Sequence, residues 1–383
     1  MNATEQYIYL TACAASGKTA ELESVDFETL WDMSRSHNMT ALTAKGLLPT
    51  KAFKNADEKE QKRWKNALDN SVKKTMLFDA ERKKLLNFFE ENGIWYMPLK
   101  GAVLNGLYKS YGTREFADND ILVDPEKTDD AKEHLLSRGY KFRSDEFSAD
   151  EYSKPPFFNF EIHRALIDES VEFERAYIYY KDVKNRLVKD AGNKYGYHFT
   201  DDDYYIFFVF HAFKHYDSRG TGFRTVADEY VVLSSDKLKL NFGYITKELD
   251  KLGIRVFEER LRELAVSLFS EPDRTEENLR GLNDDTREML GFILSCSTFG
   301  EMKNLFKRDL DSISNGKKPS KAKYWLKRVF PPRSRFKYSN PFVYKHKIVY
   351  PFFLSYRMIV NPIRHRRYLK NEIRTVKNIN NQP

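Results

Sequence analysis

Cysteine is nearly absent: Cys13 and Cys296 are the two in 383 residues. So few, so far apart, exclude a disulfide framework and a cysteine zinc cluster, and they suit a reducing cytosol. No run approaches about 18 uncharged apolar residues, so a spanning helix is not expected. The opening stretch MNATEQYIYL lacks a basic region followed by an apolar core, so no signal peptide is expected either. Internal repeats with a period of about 20–50 residues and long low-complexity stretches are missing as well. No grouping of Ser or Cys with His and Asp suggests acyl transfer.

What is there suffices for a large core. Apolar residues make up 41% and aromatic residues 15%, which excludes wholesale disorder. The length exceeds the usual single-domain size and predicts two or three packed units. The net charge of +8 conceals a division. In residues 317–383, 18 Lys and Arg stand against one acid, Glu372, so this tail carries +17 and the preceding 316 residues −9. An acidic-to-neutral body with a basic tail differs from a uniformly basic nucleic-acid binder.

Spacing along the chain predicts the elements. Residues 1–50 read as helices, with Phe27, Leu30, Trp31 and Ser34, then Ala41, Leu42 and Leu47, at helical intervals and Asp26 as an N-cap. Residues 54–92 read as one charged helix with a stripe of Trp64, Leu68, Met76, Leu77, Leu85, Leu86, Phe88 and Phe89, ended by Asn92-Gly93. Residues 94–165 then read strand–helix–strand–helix–strand–strand, the strands falling at 94–99, at 118–123 (half-buried), after Gly139-Tyr140 and at 157–163. Helical spacing returns from Asp201 to about Leu310, and prolines at 319, 331, 332, 341, 351 and 362 break up the tail. The predicted organisation is a helical region at 1–92, an α/β core at 93–195, a second helical region at 196–316 and a basic, aromatic-rich tail at 317–383. The fold class is therefore α+β, a small mixed-sheet core between N-terminal and C-terminal helical regions.

Two motifs compete for a phosphate. Gly17-Lys18-Thr19 has the ending of a P-loop, but Ala12 occupies the position where such a loop needs its first glycine, and the preceding residues look helical. The other motif is Leu99-Lys100-Gly101-Ala102, followed by Arg114 and then Asp118-Asn119-Asp120. Aspartates at i and i+2 on a strand share a face and repel unless a cation sits between them. Glu161, on a later strand, supplies the third carboxylate that a pair of Mg²⁺ ions needs. A glycine before a helix N-terminus offers close backbone approach to phosphate, with Lys100 as an adjacent cation.

This ordered set resembles the polymerase-β-like nucleotidyltransferase superfamily. More narrowly, it resembles a poorly characterised bacterial nucleotidyltransferase family whose signature runs Leu-Lys-Gly, Arg, Asp-x-Asp, Glu-x-His, matched by Leu99-Lys100-Gly101, Arg114, Asp118, Asp120, Glu161 and His163. Residues 31–47, with Arg35-Ser36-His37, resemble that family's leading helix. His211-Ala212-Phe213-Lys214-His215 with Gly222, Arg224 and Asp228 resembles its later helical part. The resemblance spans most of the first 235 residues. Three departures stand: Ala102 replaces the superfamily's serine, Asn119 replaces an apolar residue, and the spacing from Gly101 to Asp118 is long.

The resemblance implies transfer of a nucleoside monophosphate from an NTP, with ATP favoured, to an acceptor. Asp118, Asp120 and Glu161 would be the catalytic and metal-holding acids, for two Mg²⁺ ions. Lys100, Gly101, Arg114, Lys214 and Arg224 would bind the nucleotide, and His163, His211, His215 and Asp228 would support the site. The alternative is a non-catalytic nucleotide-binding or membrane-surface scaffold that keeps the fold. His211 and His215 at i and i+4 also have zinc-clasping spacing, but Ala212 stands where a zinc protease needs glutamate and no third ligand is near. They fit either the nucleotide cleft or an ordinary helix face. His163 fits a support for Glu161, a substrate contact or a core position. The tail's interleaved cations and aromatics, with an apolar block at 350–360, suit packing on the acidic body, contact with an anionic membrane, or nucleic acid. The expected location is the cytoplasm, peripheral to the inner face of the membrane.

Overall fold

The computed structural model describes residues 1–116, 118–146, 148–168, 173–218, 220–296, 325–326, 329–331, 333, 341–364 and 373. The expected helix beyond Cys296, and Phe336, Tyr338, Arg366 and Arg367 of the tail, lie outside them.

Helix α1 (Ala3–Ser16) is buried from Tyr7 to Ala15. It is apolar almost all round, as a central helix must be. Asn2 and Glu5 form a capping box at its start, and Gly17 closes it with φ +78. The P-loop resemblance therefore fails on geometry: Gly17-Lys18 ends a helix, whereas a Walker lysine opens one. Helices α2 (Phe27–Ser36) and α3 (Thr40–Leu47) pack against α1, and Asp26 caps α2 through the amides of Glu28 and Thr29. Gly46 of α3 meets α1 so closely that a Cβ there would lie 2.1 Å from the Leu10 carbonyl oxygen.

After the short α4 (Lys51–Lys54), helix α5 (Glu58–Glu91) runs 34 residues, about 51 Å at 1.5 Å per residue. Trp64, near its start, is buried in the helical core, while Leu85 and Phe89, near its end, are buried against the sheet. One stripe assignment is corrected here. Met76 and Leu77 are 58% and 46% exposed, and Thr75 and Phe78 are buried in their place. The true stripe runs through Ser71, Thr75 and Phe78, where two small polar residues hide the periodicity.

The sheet contains strands β1 (Tyr96–Pro98), β2 (Asn119–Val123), β3 (Lys141–Glu146), β4 (Ala149–Lys154) and β5 (Phe158–His163), in the order β1-β2-β5-β4-β3. Among the described strands of this sheet, β2 and β5 are the pair that runs parallel, with Asp120 opposite Glu161 and Leu122 opposite His163. Helices α6 (Lys100–Asn105) and α7 (Thr128–Ser137) connect the early strands. Sequence spacing missed β4, whose acidic composition hides a strand that buries only Asp150 and Tyr152. Strand β2 is buried along its whole length rather than half-buried. Its Ile121 and Val123, with Phe160 and Ile162 of β5, pack under α5 and α7. The opposite face carries Asp120, Glu161 and His163, by the two-residue alternation of a strand.

Helix α8 (Glu174–Tyr180) and the small hairpin β6 (Val188–Lys189) and β7 (Tyr197–His198) lead into α9 (Asp201–Ser218), α10 (Arg224–Leu233), α11 (Phe242–Leu252), α12 (Arg255–Phe269), α13 (Thr275–Gly281) and α14 (Asp284–Ser295). α1 also packs on α10 and α12, so the helices before and after the sheet share one apolar core. The fold is α+β. In the tail, α15 (Pro341–Lys345) and α16 (Val349–Arg364) pack on each other. Pro351 does not interrupt α16, because it sits in the first turn, where no intrahelical N–H is needed. No helix among the described residues is long and apolar enough to cross a membrane.

Candidate active site

Between the polar sheet face and α9–α10 lies a cleft of about 430 Å³. Twelve of the residues singled out in the sequence line it: Lys100, Gly101, Arg114, Asp118, Asp120, Glu161, His163, His211, Lys214, His215, Arg224 and Asp228.

The acidic wall comes from the parallel strand pair. The Leu99 amide donates to the Asp120 carbonyl at 2.9 Å, which brings the start of α6 beside β2. Lys100 Nζ then stands 3.4 Å from Asp120 Oδ2. His163 Nε2 lies 3.3 Å from Asp120 Oδ1 and 3.6 Å from Glu161 Oε2. Burial disfavours charge on Asp120, but Lys100 and the hydrogen bond from His163 hold its carboxyl well below the usual range. Burial and the charge of Asp120 push Asp118 the other way, well above the usual carboxylate range. Burial opposes the charged form of His163, yet hydrogen bonds to Asp120 and Glu161 raise it to about 9. The two carboxylates thus favour the charged form of His163, and its Nδ1 is buried without a partner among the described residues.

Asn119, the polar residue where an apolar one is commoner, points away from the cleft. Its Oδ1 accepts from Arg82 Nη1 at 2.9 Å and ties β2 to α5. The long spacing between Gly101 and Asp118 is also explained. The intervening loop crosses α5, where Ser71 donates to the Gly112 carbonyl and Lys74 to the Phe116 carbonyl, each at 2.7 Å. Gly112, at φ +76, passes so close that a Cβ would lie 2.7 Å from Val72 Cα.

The facing wall is cationic and histidine-rich. Lys100 donates to His211 Nε2 at 2.6 Å, and His215 Nε2 lies 3.0 Å from the same atom. Burial first, and Lys100 second, keep His211 uncharged, and burial brings His215 down to about 3. Arg114 is spent largely on Asp228, with Nε to Oδ1 at 2.8 Å and Nη2 to Oδ2 at 3.0 Å, and Tyr108 also donates to Asp228. Its remaining Nη1 faces Gly101, 3.6 Å from where a Cβ would stand. Arg224 and Lys214 line the cleft with no carboxylate within ion-pairing distance among the described residues. Burial and the neighbouring Arg114 lower the affinity of Arg224 for its proton.

Sequence spacing missed Glu115, Asp168, Thr221 and Thr225, which also line the cleft. The Oδ1 atom of Asp168 is buried without a partner among the described residues. No strand or helix periodicity marks Glu115 or Asp168, because both sit in loops.

Asp120, Glu161 and His163 bring ligand atoms within 4.8 Å of one another, the one cluster of metal-holding type found among the described residues. The histidine pair His211–His215 is not part of it. Oxygen donors suit a hard divalent cation such as Mg²⁺, and the imidazole is the less suitable member. The carboxylates of Asp120 and Glu161 supply oxygen donors of the kind such an ion takes, and Asp118 lines the same cleft.

Comparison with known proteins adds one finding. No curated protein and no solved structure matches the chain. A family model described as an uncharacterised nucleotidyltransferase matches residues 23–270, which take in α2 to α12 and the whole cleft. The chain belongs to that nucleotidyltransferase family.

Proposed function

We propose that the cleft moves a nucleoside monophosphate from an NTP, with ATP favoured, to an acceptor, as a metal-dependent enzyme of polymerase-β-like type. The observation that carries this is the opposition of two walls across one cavity: carboxylates on β2 and β5, and cations from α6, α9 and α10. Bound Mg²⁺, two ions in this reading, would neutralise charge on the reacting phosphate and orient the attacking oxygen. Asp118, Asp120 and Glu161 would hold them.

The chain's own groups supply the rest. Lys100 and the backbone at Gly101 meet the phosphates, and Arg224 and Lys214 place cations where negative charge accumulates on the leaving pyrophosphate. The Nη1 of Arg114, which Asp228 does not take, adds a donor beside Gly101. Glu161, at the more open end of the acid cluster, accepts the acceptor's proton. His211 holds the Lys100 ammonium from behind. Rate enhancement here is positioning and electrostatics, with no covalent intermediate.

The test is thermal stabilisation by Mg·ATP. Saturating ATP with Mg²⁺ raises the melting temperature, and ATP with EDTA does so far less, because the acids repel an unneutralised triphosphate. Equal stabilisation with and without the metal favours the non-catalytic alternative.

The tail is assigned to an anionic bilayer surface. Ile348, Phe352 and Tyr356, at successive intervals of four, are 83%, 73% and 61% exposed, while Leu354 on another face is buried. No acid occurs between residues 317 and 371, and Lys345, Lys347 and Arg364 flank the stripe. Each cation near an anionic leaflet contributes on the order of 1 kcal/mol, so the apolar stripe and its flanks together give reversible attachment.

A further inference from the structure

Behind the cationic wall, one residue combines a rare backbone with a bridging side chain. Asn38 joins α2 to α3 at φ +53, the one non-glycine residue of positive φ among the described residues. Its amide donates to the Arg35 carbonyl at 3.1 Å, and that of Met39 to the Ser34 carbonyl at 2.8 Å. These are the two bonds of a Schellman ending, whose left-handed position glycine fills best and asparagine next. The turn thus accounts for the backbone and would be met better by glycine. It leaves the side chain unexplained.

That side chain links two charged residues of the cleft. The Asn38 carboxamide is assigned with its nitrogen towards the acid and its oxygen towards the cation, the orientation in which both ends meet complementary groups: Nδ2 then donates to Glu115 Oε2 at 2.5 Å, and Oδ1 accepts from Arg224 Nη1 at 2.8 Å. Glu115 is fixed in turn by the start of α3, its Oε1 accepting from the Thr40 hydroxyl and from the Ala41 amide, the latter at 2.8 Å. The Glu115 carbonyl accepts from the same Arg224 Nη1 at 3.2 Å. Arg224 is therefore held by two uncharged oxygens. It is oriented without being neutralised, whereas Arg114 next to it is paired with Asp228.

We propose that Asn38 is a positioning residue for the phosphates of the nucleotide, fixing the Arg224 guanidinium in the cleft while keeping the Glu115 carboxylate off it. This role rests on the nucleotide-binding cleft proposed above. It assigns the second and third phosphates, rather than the base or sugar, to the Arg224 side of the cavity.

Asn38→Gly separates the two functions of the residue, because it suits the left-handed turn and deletes the bridge. The full chain with Mg²⁺ is titrated with ATP and with AMP, in the wild type, Asn38→Gly, Arg224→Gln and the double variant. Asn38→Gly should melt at or above the wild-type temperature and bind ATP about tenfold more weakly, the scale of one charge-assisted contact. AMP affinity should change less than twofold, and Asn38→Gly should add little in the Arg224→Gln background. Unchanged ATP affinity in Asn38→Gly, equal losses for ATP and AMP, or full additivity with Arg224→Gln would overturn the proposal while leaving the nucleotide cleft standing. A wild type that binds no nucleoside triphosphate would overturn both.

Discussion

Lys18 and Lys100 each adjoin a glycine of a phosphate-type motif, and their surroundings separate them. Lys18 follows the glycine that ends α1, and it reaches no closer than 3.9 Å to exposed Asp273. Lys100 stands between Asp120 and His211 at the mouth of α6. Lys18→Ala should leave Mg·ATP affinity unchanged. Lys100→Ala should weaken it by about 10- to 150-fold, the loss of roughly 1.5–3 kcal/mol for one charge-assisted phosphate contact. Calorimetric titration of both variants decides the matter, and the opposite ranking would restore the P-loop. At this scale the gathering of twelve residues into one cleft was legible because their types and order form the motif. Their partners were not. Arg114 reads as a free phosphate ligand in the sequence, whereas Asp228, 114 residues later, takes two of its nitrogens. Asn38 gave no signal at all, since its bridge joins α2–α3 to a loop residue and to α10.

Helices α9, α10 and α12 meet around a buried polar triad away from the cleft. The Tyr205 hydroxyl lies 2.5 Å from Glu229 Oε1 and 2.7 Å from Glu258 Oε1, and Arg262 Nε pairs with Glu258 at 2.7 Å. One hydroxyl proton cannot satisfy two carboxylates. Tyr205 donates to Glu258, which Arg262 already holds, and Glu229 keeps its own proton and donates it to the tyrosine oxygen. Burial accordingly raises Glu229 to about 8. A carboxyl whose folded value exceeds its unfolded one contributes fully at low pH, and that contribution is lost as pH rises from about 4.3 to about 8. Glu229→Gln removes the titration and keeps a donor. The variant should match the wild type near pH 4 and exceed it by a margin that grows by up to about 1.4 kcal/mol per pH unit towards pH 8. Denaturant unfolding across that range checks this, and parallel profiles would refute it. Element boundaries were legible where caps are strong, as at Asp26, Gly93 and Gly139, the two glycines lying at φ +70 and +81. Strand β4 and the middle of α5 were not, because Ala-Asp-Glu-Tyr-Ser-Lys and the Ser71–Thr75 stretch bury small or charged residues that periodicity cannot count.

The whole molecule sets an acidic body carrying the cleft against a basic tail. If α16 lies on a bilayer, the full chain should sediment with anionic vesicles, release as salt rises, and ignore neutral ones. Phe352→Ser with Tyr356→Ser should weaken that binding without altering net charge, and truncation after Asn315 should abolish it while leaving a folded body. A folded full-length protein with no vesicle affinity at low salt would contradict the assignment, and competition by short RNA with a steep salt slope would favour nucleic acid instead. Nucleotidyl transfer by the cleft between β2–β5 and α9–α10 is tested by following the two ends of the triphosphate separately. The protein is incubated with Mg²⁺ and a cell extract, once with ATP labelled at the α-phosphate and once with ATP labelled at the γ-phosphate. The α label should enter an acceptor fraction, the γ label should leave as pyrophosphate, and Asp120→Asn should fold normally but transfer nothing. Transfer of the γ label, or α-label transfer by Asp120→Asn within about tenfold of the wild type, would contradict it.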